Sequence, residues 1–427
     1  MSSSPTPLTT PYPTSKEELD EIIRKQLTLP LSKLVDRPFM KRLTGAELDN
    51  VKSFKVFRSQ YGMATMFITI DDQVFGVGKN SYNVNILGLT GRYYRCEDVG
   101  RPVRIEKLSG RRIQALRLGE LIGAALDHEG KLYWWGQNLM QKNEVITPTL
   151  ITEKMKFSSV SCGRALVAAI DKQGHVYIWG NSSYDGGSPH YMKKLDVDGP
   201  VVGLSCGLYH LAMVTEAGLV YTWGDGREGQ RGESLIGECS EYDRNKVNIL
   251  NLDFRCVAVI CGTSSTFCIS STGDLWACGA NGNGSGVLGV QNVDFCVGTP
   301  EKVLVPGKTI FHTAVWNLCG QTIYAAFTTS GLFWWCERSF YSPGSEASRL
   351  ASDQTIAEQL NVFSSPHDSM IYVAQDNLSS SPCSSIHGSQ RQPNTSTSTK
   401  IIRKLEQINV LLKTCRLVVN NEIRYSY

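Results

Sequence analysis

The stretch VVGLSCGLYHLAMVTEAGLVYTWGDGREGQRG, residues 201–232, decides the fold of this chain. It holds three short apolar runs, VVGLSC, LAMV and LVYTW. Gly207 lies between the first and second runs, Gly218 lies between the second and third, and Gly224 follows the third. β-Branched and aromatic residues favour strands, and glycine suits the corners between strands because it adopts positive φ without a Cβ clash. The stretch therefore predicts a unit of three strands joined by glycine turns.

The same unit recurs along the chain with a fixed glycine spacing. The second glycine of a copy stands eleven positions after the first, and the third stands six positions after the second. The glycines of the five clear copies are Gly119, Gly130, Gly136, Gly163, Gly174, Gly180, Gly207, Gly218, Gly224, Gly262, Gly273, Gly279, Gly320 and Gly331. An earlier and weaker copy has Gly62, Asp72 and Gly78 in these slots.

The residue that ends the third strand of each copy sets the repeat length. These residues are Val77, Trp135, Trp179, Trp223, Cys278 and Cys336, which lie 44 to 58 residues apart. Multi-stranded repeats of about 40–50 residues are typical of propeller blades, because one such unit cannot bury both of its faces alone. We therefore predict an all-β propeller in which the tryptophans pack between blades.

Composition narrows the class of protein further. The 427 residues are 41% hydrophobic and 19% charged, with a net charge of +3, which favours neither a nucleic-acid-binding protein nor an acidic tail. No run of 18 apolar residues suggests a membrane span, and the N-terminus does not resemble a secretory signal. We expect a chain of the cytoplasm, the nucleus or both, whose 13 cysteines are mostly reduced thiols.

The repeat resembles that of the regulator of chromosome condensation family: Cys-Gly-x-x-His, an apolar strand, then Gly-x-Val-Tyr-x-Trp-Gly. The resemblance covers about residues 51–340 and implies a seven-bladed β-propeller. The opening VKSFKVFRSQYGMATMFITIDDQVFGVGKNSYNVNILGL resembles the first blade of family members that carry a BTB domain after the propeller. No BTB sequence follows here, and the C-terminal LEQINVLLKTCRLVVNNEIRYSY is interpreted as part of a seventh blade.

The predicted organisation has four parts. Residues 1–50 are a disordered start and a short helix, in which Ser15 caps the segment KEELDEIIRKQL. Residues 51–340 are propeller repeats one to six. Residues 341–400 are a disordered Ser/Thr-rich linker, because the stretch offers few apolar residues to bury. Residues 401–427 are a partial last blade.

Gly224, Gly226 and Gly229 spell G-x-G-x-x-G, the fingerprint of a dinucleotide site. That site needs a following helix, and the sequence after Gly229 has no amphipathic period. The next repeat has a second match at Gly284, Gly286 and Gly289, as expected of a repeated turn. We predict a turn here and no cofactor.

Residues with metal-binding or catalytic chemistry are interpreted as structural. Cys162, Cys206, Cys261 and Cys319 stand one per repeat, whereas zinc needs clustered ligand pairs. His210 fills a slot that holds Ile122, Leu166, Ser265 or Ile323 in other copies, which indicates a hydrogen-bonding core residue. No catalytic triad or carboxylate pair can be assembled, so we predict neither a metal site nor an enzyme.

Two surface sets are candidate partner contacts. The first is a basic segment between the first two blades, with Arg92, Arg95, Arg101, Arg104, Lys107, Arg111, Arg112 and Arg117 against three acids. The second is the turn residues Asp225, Arg227 and Glu228, expected at an exposed blade tip.

Three functions are consistent with these features. We favour a non-catalytic interaction scaffold, a monomeric propeller that binds partner proteins through its blade loops; the family resemblance implies a relation to ubiquitin ligases. The second is a guanine-nucleotide exchange factor for a Ran-like small GTPase, the founding activity of the family. The third, less favoured, is a chromatin or nucleic-acid binder that uses the basic segment.

Overall fold

Six β-sheets, one for each predicted repeat, make up most of the part of the chain that the structure describes. This computed structural model describes residues 15–37, 39–59, 62–80, 85–90, 98–136, 145–180, 192–233, 245–282, 287–292, 294–316, 322–336, 348–349 and 370–374. All of them belong to one compact unit, Met1–Asp376. The all-β propeller predicted from the repeats is confirmed.

The N-terminal segment precedes the first blade. It contains helix α1 (Lys16–Gln26), strand β1 (Thr28–Pro30), two 3₁₀ helices (Leu31–Asp36 and Met40–Arg42) and helix α2 (Gly45–Asp49). The side chain of Ser15 accepts a hydrogen bond from the backbone N–H of Glu18, so the predicted capped helix is confirmed.

The first blade is a six-stranded sheet. Its main strands are β2 (Val51–Ser59), β3 (Gly62–Thr69), β4 (Val74–Lys79) and β5 (Asp98–Arg104). Strand β1 and the last described strand, Ile371–Ala374, extend this sheet beyond β2.

The other five blades have four strands each, paired in chain order. Blade two has β6 (Ile113–Leu118), β7 (Ile122–Asp127), β8 (Leu132–Gly136) and β9 (Val145–Leu150). Blade three has β10 (Phe157–Cys162), β11 (Leu166–Asp171), β12 (Val176–Gly180) and β13 (Lys193–Lys194). Blade four has β14 (Val201–Cys206), β15 (His210–Thr215), β16 (Val220–Gly224) and β17 (Asn248–Leu250).

Blades five and six complete the set. Blade five has β18 (Cys256–Cys261), β19 (Ser265–Ser270), β20 (Leu275–Ala280) and β21 (Cys296–Lys302). Blade six has β22 (Thr309–Trp316), β23 (Thr322–Thr328), β24 (Gly331–Cys336) and β25 (Ser348–Arg349). The final strand, β26 (Ile371–Ala374), lies in the first blade between β1 and β2.

The hydrophobic core is divided among the interfaces between neighbouring blades. Trp135, Trp179 and Trp223 are all buried in these clusters, and the indole N–H of Trp135 donates to the carbonyl of Ile86 in the first blade at 2.7 Å. A further cluster packs the N-terminal segment and the first blade against Ala325 and Phe327 of β23. The N-terminal segment therefore contacts both the first and the last described blades.

Blades two to five approach one another closely at the first glycines of repeats two to four, Gly119, Gly163 and Gly207. A Cβ on Gly163 would lie 2.7 Å from the carbonyl oxygen of Gly207, and a Cβ on Gly207 would lie 2.6 Å from that of Gly262. Backbone hydrogen bonds cross the same gaps: Arg164 N donates to Leu208 O, and Leu208 N donates to Thr263 O, both at 3.0 Å. No larger residue fits there without displacing backbone.

The glycine slots thus serve two different purposes. Gly174 and Gly224, in the second and third slots, have φ of 86° and 100°, as the turn argument requires. The first-slot glycines such as Gly163 are not among the residues with positive φ. The expectation that every repeat glycine serves a positive-φ corner is therefore wrong for this slot, where the need is space for the next blade.

The predicted linker 341–400 is not disordered throughout. Residues 371–374, with the apolar sequence IYVA, form β26 in the first blade, where the side chain of Val373 is buried. The seventh blade predicted from residues 401–427 and the repeat glycine Gly320 lie outside the described residues. The other boundaries between the four parts stay a prediction.

We expect Gly163→Ala to destabilise the protein by about 2–3 kcal/mol, because the added Cβ must push the backbone of blade four away from blade three. Chemical denaturation measures the change. The matched control is Gly100→Ala in β5, where a Cβ would meet no atom within 4 Å. Equal unfolding midpoints for the two variants would contradict the close-approach argument.

Candidate interaction face

The first strands of the blades end together at one face of the propeller. We call it the glycine-ring face and define it by Gly119, Gly163, Gly207 and Gly262. Because neighbouring strands within a blade are antiparallel, the turn after each third strand also reaches this face. Residues that follow the first glycines of different repeats are thereby brought close together.

Arg164 links three consecutive blades at this face. Its Nε lies 3.2 Å from Oε2 of Glu120 in blade two, and its guanidinium carbon lies 5.6 Å from the ring centroid of Tyr209 in blade four. The guanidinium also donates a hydrogen bond to the Tyr209 hydroxyl. The Glu120 side chain is only 9% exposed, whereas that of Arg164 is 32% exposed.

A second ion pair adjoins Tyr209. The carbonyl of Tyr209 accepts a hydrogen bond from the N–H of Asp225 at 3.0 Å. The Asp225 carboxylate accepts from Arg227 Nη2 at 2.8 Å and from Nε at 3.0 Å, so the pair is bidentate. Asp225 is buried, and the Arg227 side chain is 51% exposed. We call Glu120, Arg164, Tyr209, Asp225 and Arg227 the Tyr209 cluster.

The Tyr209 cluster presents positive charge although its formal charges balance. Burial raises the pKa of Glu120, and the neighbouring Arg164 opposes that rise. Both carboxylates lie beneath the surface, while the Arg227 side chain is exposed and the partly exposed Arg164 side chain lies beside the Tyr209 ring. Such a surface suits an acidic partner, because arginine and tyrosine are enriched in protein interfaces.

The predicted turn contacts fall partly within this cluster. Arg227 is exposed and Glu228 is half-buried, but Asp225 is buried, so its expected exposure is wrong. Hydrogen bonds from Arg227 compensate the burial of the Asp225 carboxylate. Sequence reasoning missed Glu120, Arg164 and Tyr209, which lie one or two residues after the first repeat glycines. Their position in these turns was the only signal that could have found them.

The basic segment lies elsewhere. Arg92 and Arg95 are outside the described residues. Arg101 and Arg104 lie on β5, while Lys107, Arg111 and Arg112 lie in the connection to β6, at the face opposite the glycine ring. All five are exposed.

Several cations of the basic segment already have partners. Arg104 Nε lies 3.4 Å from Oε2 of Glu106. Arg111 donates to the carbonyl of Lys107 at 2.8 Å and to the Tyr133 hydroxyl at 3.1 Å. Arg117 reaches inward and donates to Val160 O in the next blade at 3.1 Å. The positive charges of the segment are thus partly paired, and they are spread over a strand and a loop instead of forming one concentrated basic patch.

His210 lies in the core beneath the Tyr209 cluster. Its Nε2 is 3.0 Å from the hydroxyl of Thr266 in blade five, and the residue is fully buried. Burial lowers the pKa of His210 to about 4, so the imidazole is neutral near pH 7.

The glycine-rich sequence after β16 is a turn. No helix follows Gly229 within the residues described up to 233. Arg231, in this turn, is buried, and its Nη2 lies 2.8 Å from Oε1 of Glu233. The repeat cysteines Cys162, Cys206 and Cys261 are buried free thiols, and Cys261 Sγ contacts the carbonyl of Ser205 at 3.1 Å.

No three or more His, Cys, Asp or Glu side chains among the described residues are placed to hold a metal ion. None of the helices described is long and apolar enough to cross a membrane.

Comparison with known proteins supports the repeat assignment. Residues 201–230 match the family model described as Regulator of chromosome condensation (RCC1) repeat. No curated protein matches the sequence significantly.

Solved structures share the fold at low sequence identity. Yeast RCC1 (Prp20), bound by Kap60, is 19% identical over 78% of this chain and 80% of its own, with a TM-score of 0.56. Prp20p from Saccharomyces cerevisiae, studied with its binding to Gsp1p and histones, is 18% identical over 69% and 73%, with a TM-score of 0.52. Human WBSCR16 is 19% identical over 65% and 78%, with a TM-score of 0.50.

We expect His210 to make the free energy of unfolding decrease as the pH is lowered. The pKa of His210 in the folded state is below the usual 6.5. As the pH is lowered, the imidazole therefore binds a proton in the unfolded chain before it does so in the folded chain. The contribution is fully present above pH 6.5 and is lost as the pH falls towards 4, up to about 3 kcal/mol. Urea denaturation of His210→Gln should show a shallower decrease over this range.

The matched control is His128→Gln, whose imidazole lies at the surface. It should keep the pH dependence of the original protein. If H210Q and the original protein lose equal stability between pH 7 and pH 4.5, His210 is not the buried neutral base described here.

Proposed function

Because the chain is an RCC1-repeat propeller protein, we propose that it is a non-catalytic protein-interaction module that binds partner proteins through the glycine-ring face. The observation that carries this proposal is the Tyr209 cluster. Its exposed Arg227 is held in one orientation by the buried Asp225, so little side-chain entropy is lost when a partner binds.

The chemistry of the face suggests the kind of partner. Arg164 packs over Tyr209 and is partly exposed, which places a cation and an aromatic ring together. An acidic segment of a partner protein would find two guanidinium groups on a rigid support formed by three blades. Backbone hydrogen bonds between blades two and three, three and four, and four and five keep that support in place.

Site-specific photo-crosslinking in cells tests the proposal. A photoreactive phenylalanine analogue at Tyr209 should give discrete crosslinked products, whereas the same analogue at the exposed Lys193 on β13 should not. Arg227→Glu should reduce the Tyr209 products at least fivefold, because it places like charge against an acidic partner.

The charge control is Arg101→Glu, an exposed arginine on β5. It should leave the Tyr209 products unchanged. The proposal fails if Lys193 and Tyr209 give the same products, or if R227E and R101E act equally.

A second candidate is guanine-nucleotide exchange on a small GTPase. It rests on the similarity to Prp20p, a structure reported with binding to Gsp1p. Release of a fluorescent guanine nucleotide from a Ran-type GTPase should then accelerate at least tenfold when the full chain is added. An unchanged release rate rejects the exchange activity and leaves the interaction module as the proposal.

A further inference from the structure

Strand β26 fills a gap between two strands of the first blade. Its Tyr372 is paired with Thr28 of β1, in parallel, and with Ser53 of β2, antiparallel. The N–H of Tyr372 donates to the carbonyl of Leu27 at 2.9 Å. Both edges of β26 are therefore paired, although its partners lie more than 300 residues earlier in the chain.

Two side chains of this short segment, one on each face of the sheet, are buried. Met370 is 4% exposed and packs in the cluster between blades one and two. Val373 is 6% exposed and packs with Leu29 and Phe54 beneath the N-terminal segment. The guanidinium carbon of Arg24 lies 5.4 Å from the ring centroid of Tyr372.

Without β26, the facing edges of β1 and β2 would each expose unpaired backbone N–H and C=O groups, and the apolar pockets for Met370 and Val373 would stand open. An unpaired strand edge with side-chain pockets is the arrangement by which folded domains bind extended peptides. The segment enters this gap as an added strand and not as a hairpin with either neighbour.

We propose that the gap between β1 and β2 is a peptide-binding groove, which this chain fills with its own residues 370–374. The ligand class is an extended peptide that carries apolar side chains at the positions of Met370 and Val373. A peptide on another molecule must compete with the tethered segment, because a covalent connection raises the effective concentration of that segment at the groove. The groove therefore binds a partner only when its own segment is released.

The experiment weakens the internal segment in the full chain and supplies it again as a peptide. Val373→Asp places a charge in an apolar pocket, so hydrogen exchange in residues 27–30 and 51–54 should become faster. A labelled peptide PHDSMIYVAQDN, residues 366–377, should bind V373D at least tenfold tighter than the original chain and restore protection. The same peptide with aspartate at the position of Val373 should not bind.

Ala374→Asp is the matched control because Ala374 is exposed on the same strand. It should leave exchange unchanged and show the weak peptide binding of the original chain. The proposal is overturned if V373D is folded and does not bind the peptide, or if exchange at 27–30 and 51–54 is the same in both variants.

A nicked chain keeps the test decisive if V373D does not fold. A protease site introduced between residues 351 and 369 and then cut should leave the C-terminal fragment bound during size-exclusion chromatography. Excess peptide PHDSMIYVAQDN should displace that fragment. A fragment that separates without peptide, or one that stays bound at any peptide concentration, would overturn the assignment of the groove.

Discussion

The close approach of one blade to the next at Gly119, Gly163 and Gly207 is the constraint on which the propeller depends. At Gly163 and Gly207 there is room for a hydrogen atom and no room for a Cβ, because the next blade's carbonyl lies against the chain. Hydrogen bonds from Arg164 and Leu208 to the following blade then satisfy backbone groups that would otherwise be buried without partners. This contact sets how blades are spaced and turned relative to one another.

The same constraint creates the candidate interaction face. Since the first strands meet at their ends, the short turns after Gly119, Gly163 and Gly207 come into contact although they are 44 residues apart in sequence. A turn residue such as Arg164 can then reach both neighbouring blades. Buried carboxylates orient exposed guanidinium groups, and an otherwise neutral cluster shows a cationic, aromatic surface.

The N-terminal segment and β26 give the first blade its unusual width. Leu29 and Val373 bury apolar surface between the first blade and the N-terminal segment, and Phe327 of blade six packs against the same cluster. This arrangement joins chain segments from both ends of the compact unit. A strand that is inserted from far along the chain is held in this sheet by pairing and burial, because no turn connects it to β1 or β2.

The sequence by itself determined the repeat. Glycine spacing predicted the blades, short apolar runs rich in β-branched and aromatic residues predicted the strands, and Ser15 with the following helical period predicted α1, because each of these signals acts over a few residues. Only the tertiary structure decided that Asp225 is buried, that Glu120, Arg164 and Tyr209 meet, and that residues 371–374 form a strand of the first blade. Those outcomes depend on contacts between blades, and residue types in variable turns give no local sign of which distant turn they will touch.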